Sequence, residues 1–315
     1  MEVKNLTVYY EKEGSVSKAV NDISFTLGEK ETLGLVGETG AGKTTTALGI
    51  MNLIPSPPGK VKSGQILLDG NNVLAMSKKE LRHYRGNQLA MIFQDPMTSL
   101  NPIMTVGDQI SEVFRHHEKS SRAEAYKKAA KMLETVGIDA NRMGEYPHQF
   151  SGGMKQRVVI AIALACNPKV LLADEPTTAL DVTIQAQILE LMNDLQTKYQ
   201  TSMVMITHDL GVVAEMCSKV AIMYAGRIVE YGDLEQIFEN PSHPYTRGLF
   251  DSLPSLNEDM DRLHPIPGMM PDPANLPDGC AFCPRCEVKK EICEREQPGD
   301  KVISQGHILK CHLFS

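Results

Sequence analysis

The chain has 315 residues, enough to bury a full α/β domain and still leave a small appendage. Its net charge is −7 with no long basic run, which argues against nucleic acid as the main partner. It shows no basic, apolar leader of the secretory kind, and its longest apolar run, Val158 to Cys166, is far too short to span a bilayer, so a soluble cytosolic protein is expected.

Residues 1 to about 90 read as short strands mixed with one helix. The apolar segment Thr32-Leu33-Gly34-Leu35-Val36 is predicted as a strand and Thr45 to Met51 as a helix. Between them stands Gly37-Glu38-Thr39-Gly40-Ala41-Gly42-Lys43-Thr44, the pattern G-x-x-x-x-G-K-[ST] in the strand, loop and helix context that it requires. Gly37, Gly40 and Gly42 let the backbone turn tightly, so that N–H groups from Glu38 through Thr45 can point at the phosphates of a nucleotide, with the positive end of the helix dipole behind them. Lys43 adds a cation for the β- and γ-phosphates, and the Thr44 hydroxyl suits Mg²⁺.

Helices are predicted next at Val106 to His117 and Arg122 to Val136. The run Ser151-Gly152-Gly153-Met154-Lys155-Gln156-Arg157 taken alone is an ordinary helix cap. Val170-Leu171-Leu172-Ala173-Asp174-Glu175 reads as a buried strand ending in two carboxylates, placed like acids that face a nucleotide crevice. Asp174 is suited to hold Mg²⁺ through water, and Glu175 to accept a proton from the attacking water. Residues 170 to 231 then alternate strands with helices, as in a parallel α/β core. No internal repeat is evident.

After Asp233 the composition shifts. Prolines at 241, 244, 254, 265, 267, 271, 273 and 277 break any long element, and Pro254 to Gly279 is predicted to be an extended linker with little core. Beyond it lie Cys280, Cys283, Cys286, Cys293 and Cys311, whereas Cys166 and Cys217 look like ordinary small core residues. Clustered thiols in a cytosolic chain point to metal rather than disulfides, and a cross-link would supply much of the stability of so short and charged a segment. Four thiolates suit either zinc or an iron–sulfur cluster; C-x₂-C-x₂-C is similar to a ferredoxin run but lacks its C-P ending.

With Ser151 to Arg157 just ahead of the acidic strand, the chain resembles an ATP-binding-cassette ATPase. The family signature runs L-S-G-G-Q, and Phe150-Ser151-Gly152-Gly153-Met154 departs from it at the first and fifth positions. The resemblance implies a phosphate-loop fold with a mixed-sheet core, an antiparallel β subdomain and a helical subdomain at about 95–165 that docks membrane subunits. It implies that Ser151, Gly152 and Gly153 close over the γ-phosphate of ATP held by a partner subunit. Tyr10 resembles the aromatic that stacks on adenine. Gln94, in Met91-Ile92-Phe93-Gln94-Asp95-Pro96, resembles the glutamine that touches Mg²⁺ and the attacking water. Asp181, in Thr178-Ala179-Leu180-Asp181, is similar to the loop that crosses the dimer, and His208 to the switch histidine on the γ-phosphate.

Asp95-Pro96-Met97-Thr98-Ser99-Leu100-Asn101-Pro102, Asn240-Pro241-Ser242-His243-Pro244-Tyr245-Thr246, Ile266-Pro267-Gly268 and Gly279 to Cys286 narrow the resemblance to oligopeptide and dipeptide importer ATPases. It implies a cassette over 1–240 and a C-terminal extension over 241–315, with a [4Fe–4S] cluster on Cys280, Cys286, Cys293 and Cys311, Cys283 as an extra thiol and zinc as the alternative. It further implies a second ATPase, two membrane-spanning permeases and an external substrate-binding protein, at the cytoplasmic face of the cell membrane. An importer of nickel or another small solute, or a cassette ATPase acting without a membrane, are the competing readings. The second is disfavoured by the lack of a second cassette or a long coiled-coil insertion.

Overall fold

The computed structural model describes residues 1–178, 180–252 and 265–314. Ala179 and the 254–264 part of the expected linker lie outside the described residues. The strands are β1 (Glu2–Lys12), β2 (Ser15–Thr26), β3 (Thr32–Val36), β4 (Gly59–Leu68), β5 (Asn71–Asn72), β6 (Leu89–Ile92), β7 (Val170–Asp174), β8 (Ser202–Thr207), β9 (Lys219–Tyr224), β10 (Arg227–Asp233), β11 (Lys301–Ser304) and β12 (His307–Leu309). The α-helices are α1 (Lys43–Ile50), α2 (Lys78–Tyr84), α3 (Pro96–Ser99), α4 (Val106–His117), α5 (Arg122–Thr135), α6 (Gly152–Leu164), α7 (Val182–Tyr199), α8 (Leu210–Met216), α9 (Leu234–Glu239) and α10 (Pro244–Asp251).

The chain forms two compact units, one made mainly of Asn72–Ile206 with Leu27–Thr32, the other of Glu2–Thr26, Leu33–Asn71 and Thr207–Ser315. In the first unit β6 and β7 are parallel, with Leu89 opposite Val170, and β7 and β8 are parallel, with Val170 opposite Ser202. All three strands are buried along their whole length, which is why their central residues are apolar on both faces rather than alternating. Helices α4 and α5 stand where the periodicity predicts them. Thr105 caps the first by accepting from the Asp108 N–H, and Ser121 and Glu124 close a capping box on the second.

In the second unit β1 pairs antiparallel with β2 and with β4, burying Val3, Leu6, Val8, Val20, Ile23 and Phe25. These strands are longer than the sequence suggests, at 11 and 12 residues. Irregularities in their register interrupt the alternation that would have marked them. Strand β3 pairs parallel with β9, and β9 antiparallel with β10.

The tail continues this sheet. Strand β12 pairs antiparallel with β10, placing Leu309 opposite Glu230 and Ile308 opposite Tyr231. Glu230 has no exposed surface; its carboxylate accepts from the N–H groups of Ser242 (2.8 Å) and His243 (3.0 Å), and one of its oxygens lies 2.8 Å from His307 Nε2. A buried carboxylate needs such partners, and here they come from residues before and after the predicted linker. Residues 265–279 contain no helix or strand, as expected of a proline-rich stretch, yet they do not hang free. The Lys18 N–H donates to Pro273 O at 2.8 Å, and Ile266 fills the space in front of Gly248. The described part of the predicted linker is therefore a strap fastened to its unit.

Candidate active site

The fully buried strand β3 delivers the chain to Gly37 and the loop returns it at Lys43, the first residue of α1. Gly40 (φ 86°) and Gly42 (φ 103°) take left-handed backbone conformations that a side chain would strain. Gly37 is required for a different reason, because a Cβ there would stand 2.2 Å from Met223 O. Gly37→Ala is expected to cost about 2–3 kcal/mol through overpacking, seen as a lower urea midpoint. Gly144→Ala, where nothing lies within 4 Å of the added carbon, should leave that midpoint in place.

The N-cap of α1 is Gly42, which has no side chain to compete with an anion for the positive end of the helix. Lys43 is 6% exposed, and its ammonium donates to Gly37 O (2.6 Å) and Glu38 O (3.1 Å), which holds the cation over the loop. Thr39, Gly40 and Thr44 are exposed, Thr45 is half-buried and Ala41 is buried. In the same unit Tyr10 is half-buried on β1, opposite Gly59 of β4. Its ring, with Ile54 and Pro55, crowds the space that a Gly59 side chain would fill. His208 is exposed just past β8.

The acids lie in the other unit. Asp174 ends β7 and is 1% exposed. Glu175 follows with φ 46°, a conformation rarely adopted by a non-glycine residue, and its N–H donates to Ile206 O at 2.8 Å. Its Oε2 accepts from Gln94 Nε2 at 2.9 Å and from Thr178 Oγ1 at 2.9 Å. The structure thus joins two of the predicted residues and adds Thr178, which sequence reasoning quoted only as part of a loop.

Ser151 is the N-cap of α6 and accepts from the Met154 N–H at 3.4 Å, so the capping role is realised while Ser151 and Gly152 stay exposed. Gly153 is buried, and a Cβ there would press to 2.5 Å from Ile184 Cγ2. The departures at Phe150 and Met154 have a packing basis. The Arg142 guanidinium stacks 4.4 Å over the Phe150 ring, and its Nη1 lies 3.3 Å from Met154 Sδ. Asp181 caps α7 through the Ile184 N–H at 3.0 Å and is exposed.

In the tail Cys280, Cys283, Cys286, Cys293 and Cys311 line one small cavity with His243 and His312. Burial pushes the Cys280 thiol up to about 11 and raises Cys283, Cys286 and Cys311 as well, which disfavours thiolate. Among the described residues no three His, Cys, Asp or Glu side chains converge as ligands of one ion. Cys217 is buried, as expected of a core residue, and its thiol is pushed up to about 12; Cys166 is only half-buried.

Two family descriptions match this chain: ABC transporter over residues 20–178, and oligopeptide/dipeptide transporter, C-terminal region, over residues 229–293. The oligopeptide transport ATP-binding protein OppD of Bacillus subtilis is 52% identical over 317 residues, covering 100% of this chain and 88% of that protein. The dipeptide transport ATP-binding protein DppD of the same organism is 48% identical, covering 99% of this chain and 94% of that one. Of solved structures, a dimeric post-hydrolysis state of an ATP-binding cassette bound to ADP and Pi matches with TM-score 0.66 and 27% identity, over 74% of this chain and 98% of that one. The cbiO1 protein from Clostridium perfringens, part of the ABC transporter complex cbiONQ, matches with TM-score 0.64 and 28% identity, over 76% and 90%. A phosphate loop, a strand ending in paired acids and a capped Ser-Gly-Gly helix, in one chain so similar to these proteins, place it in a family: the chain belongs to the ABC transporter ATPases.

Proposed function

We propose that the chain is the ATP-hydrolysing subunit of a membrane importer that takes up oligopeptides or dipeptides. The observation that carries the hydrolytic part is the Gln94–Glu175 hydrogen bond of 2.9 Å at the end of β7, in a chain whose other unit forms the phosphate loop. Full-length similarity to oligopeptide and dipeptide transport ATP-binding proteins supports the peptide part.

In this reading Tyr10 stacks on adenine, and the loop from Gly37 to Thr45 holds the phosphates through N–H groups that follow Glu38, whose own N–H is taken by Tyr245, and through the Lys43 ammonium. Thr44, Gln94 and, through water, Asp174 are the residues that would hold Mg²⁺, which supplies charge neutralisation on the phosphates. Glu175 accepts the proton of the attacking water, while Gln94 and Thr178 fix its carboxylate. Ser151, Gly152 and Gly153 close over the γ-phosphate of ATP held by a second, related ATPase; Asp181 lies on the loop crossing to that partner, and His208 contacts the γ-phosphate of this chain's own ATP. The cassette spans 1–240, its helical part at about 95–165 docks two permeases, and an external binding protein delivers the peptide. The chain then sits peripherally on the cytoplasmic face of the cell membrane; no described helix is long and apolar enough to cross one.

The test is purification from native membranes followed by reconstitution in vesicles. Recovery with hydrophobic subunits and ATP-dependent uptake of a labelled oligopeptide is expected. Recovery on ribosomes or DNA would overturn the transport reading, and uptake of nickel without peptide would overturn the peptide reading.

For the tail, within 241–315, the proposal is a [4Fe–4S] cluster on Cys280, Cys286, Cys293 and Cys311 acting as a structural cross-link, with Cys283 the extra thiol. Support comes from the chemistry of the donors, since the thiols gather at one cavity and burial disfavours thiolate at Cys280, Cys286 and Cys311 unless a soft metal takes the place of the proton. Zinc, whose thiolates bind about 2.3 Å from the ion, is the alternative for the same donors. Anaerobically purified protein should contain iron and acid-labile sulfide in equal amounts; zinc without sulfide would overturn the cluster.

A further inference from the structure

We propose that Arg285 is a positioning residue for ATP binding: through Glu38 it ties the cysteine-lined tail to the phosphate loop and sets the affinity of that loop for nucleotide. This rests on the reading of Gly37 to Thr44 as the nucleotide loop. Arg285 ends the short turn Cys283–Arg285 and is followed by Cys286, so residues on both sides of it line the thiol cavity. Its side chain is only 6% exposed. The guanidinium Nη1 stands 3.1 Å from each oxygen of the Glu38 carboxylate and 3.3 Å from Tyr224 Oη. Its Nε donates to Pro267 O at 2.9 Å and its Nη2 to Ile266 O at 3.3 Å. A guanidinium held by five acceptors on loop, sheet and strap is fixed in place.

Glu38 is gripped by its backbone as well. Its N–H donates to Tyr245 Oη at 3.0 Å, and its carbonyl accepts from Lys43 at 3.1 Å. Tyr245 itself is buried, with ring centroids 4.6 Å from Tyr224 and 5.4 Å from Phe282, so it is a rigid post. The Met270 methyl also lies against Gly40, 3.0 Å from where a Cβ would be. The tail therefore contacts the loop at both the peptide that orients the Lys43 ammonium and the glycine that turns the chain toward phosphate. Ordering these groups before the nucleotide arrives removes a cost that binding would otherwise bear. Linkage requires the reverse as well: bound nucleotide must steady the turn that carries Arg285.

The test uses the full-length chain in its assembled complex. Arg285→Gln is expected to raise the KM and Kd for ATP about 10-fold while kcat changes much less, and Arg285→Lys should recover part of the loss. Glu38→Gln, which leaves the tail untouched, should give a similar rise, and combining it with Arg285→Gln should add little, because both remove the same pair. MgATP should slow amide hydrogen exchange at Cys283, Arg285 and Cys286 in the wild type and not in Arg285→Gln. An unchanged KM in both single variants, or fully additive losses in the double variant, would overturn the proposal. Wild-type protein that binds no ATP would instead overturn the loop assignment and the proposal with it, so the two failures are distinct.

Discussion

Glu175→Gln is expected to retain ATP binding within a few-fold of wild type and to lower steady-state hydrolysis by at least about 100-fold. The two side chains have nearly the same shape. The amide oxygen can still accept from Gln94 and Thr178, which now donate to the carboxylate at 2.9 Å each, and the backbone bond from residue 175 to Ile206 O is untouched. What disappears is the capacity to take a proton from water. The loss should therefore fall on turnover and spare affinity, the signature of an interaction made in the transition state. Phosphate release by the assembled complex and equilibrium binding of a fluorescent ATP analogue measure the two quantities separately. Turnover at the wild-type rate would remove Glu175 as the base.

The parts of this site that were legible in the sequence are those whose chemistry is contiguous. The phosphate loop occupies eight successive positions, and the rise from β3 into α1 follows from apolar residues giving way to glycines and then to helix formers. The same holds for β7, where buried residues run straight into Asp174 and Glu175. What was not legible is contact across sequence distance. Glu38 meets Tyr245 and Arg285 across 207 and 247 residues, and no local spacing announces that a loop glutamate needs a tail arginine. The proline count suggested a loose connection, since prolines do exclude helices and ladder donors. It carried no information about carbonyls, and it is carbonyls, those of Ile266, Pro267 and Pro273, that fasten the strap. Likewise the alternation in β12 is too short to reveal a partner, so its pairing with β10 was invisible until Glu230 was seen buried between Ser242, His243 and His307. Phe150 and Met154 show the opposite limit: a motif comparison marks them as departures, and only the position of Arg142 explains them.

Lys43→Met should separate binding from folding. The ammonium donates to Gly37 O and Glu38 O in a nearly buried position, and methionine can fill most of that volume without it. The unliganded protein should therefore lose little thermal stability, because the loop is also held by Tyr245 and Arg285 at Glu38. ATP affinity should fall about 100-fold, on the order of 3 kcal/mol, since charge-assisted bonds to phosphate vanish and no other described cation belongs to the loop sequence. Hydrolysis at saturating ATP should fall too, because the charge that develops on the γ-phosphate has lost a counter-charge. Titration with the fluorescent analogue beside a thermal melt reads both outcomes. Wild-type affinity in a folded Lys43→Met protein would move the phosphate site away from this loop, whereas Glu175→Gln can fail only as an assignment of the base. The two variants thus interrogate opposite units of the chain, one through binding without turnover and the other through folding without binding.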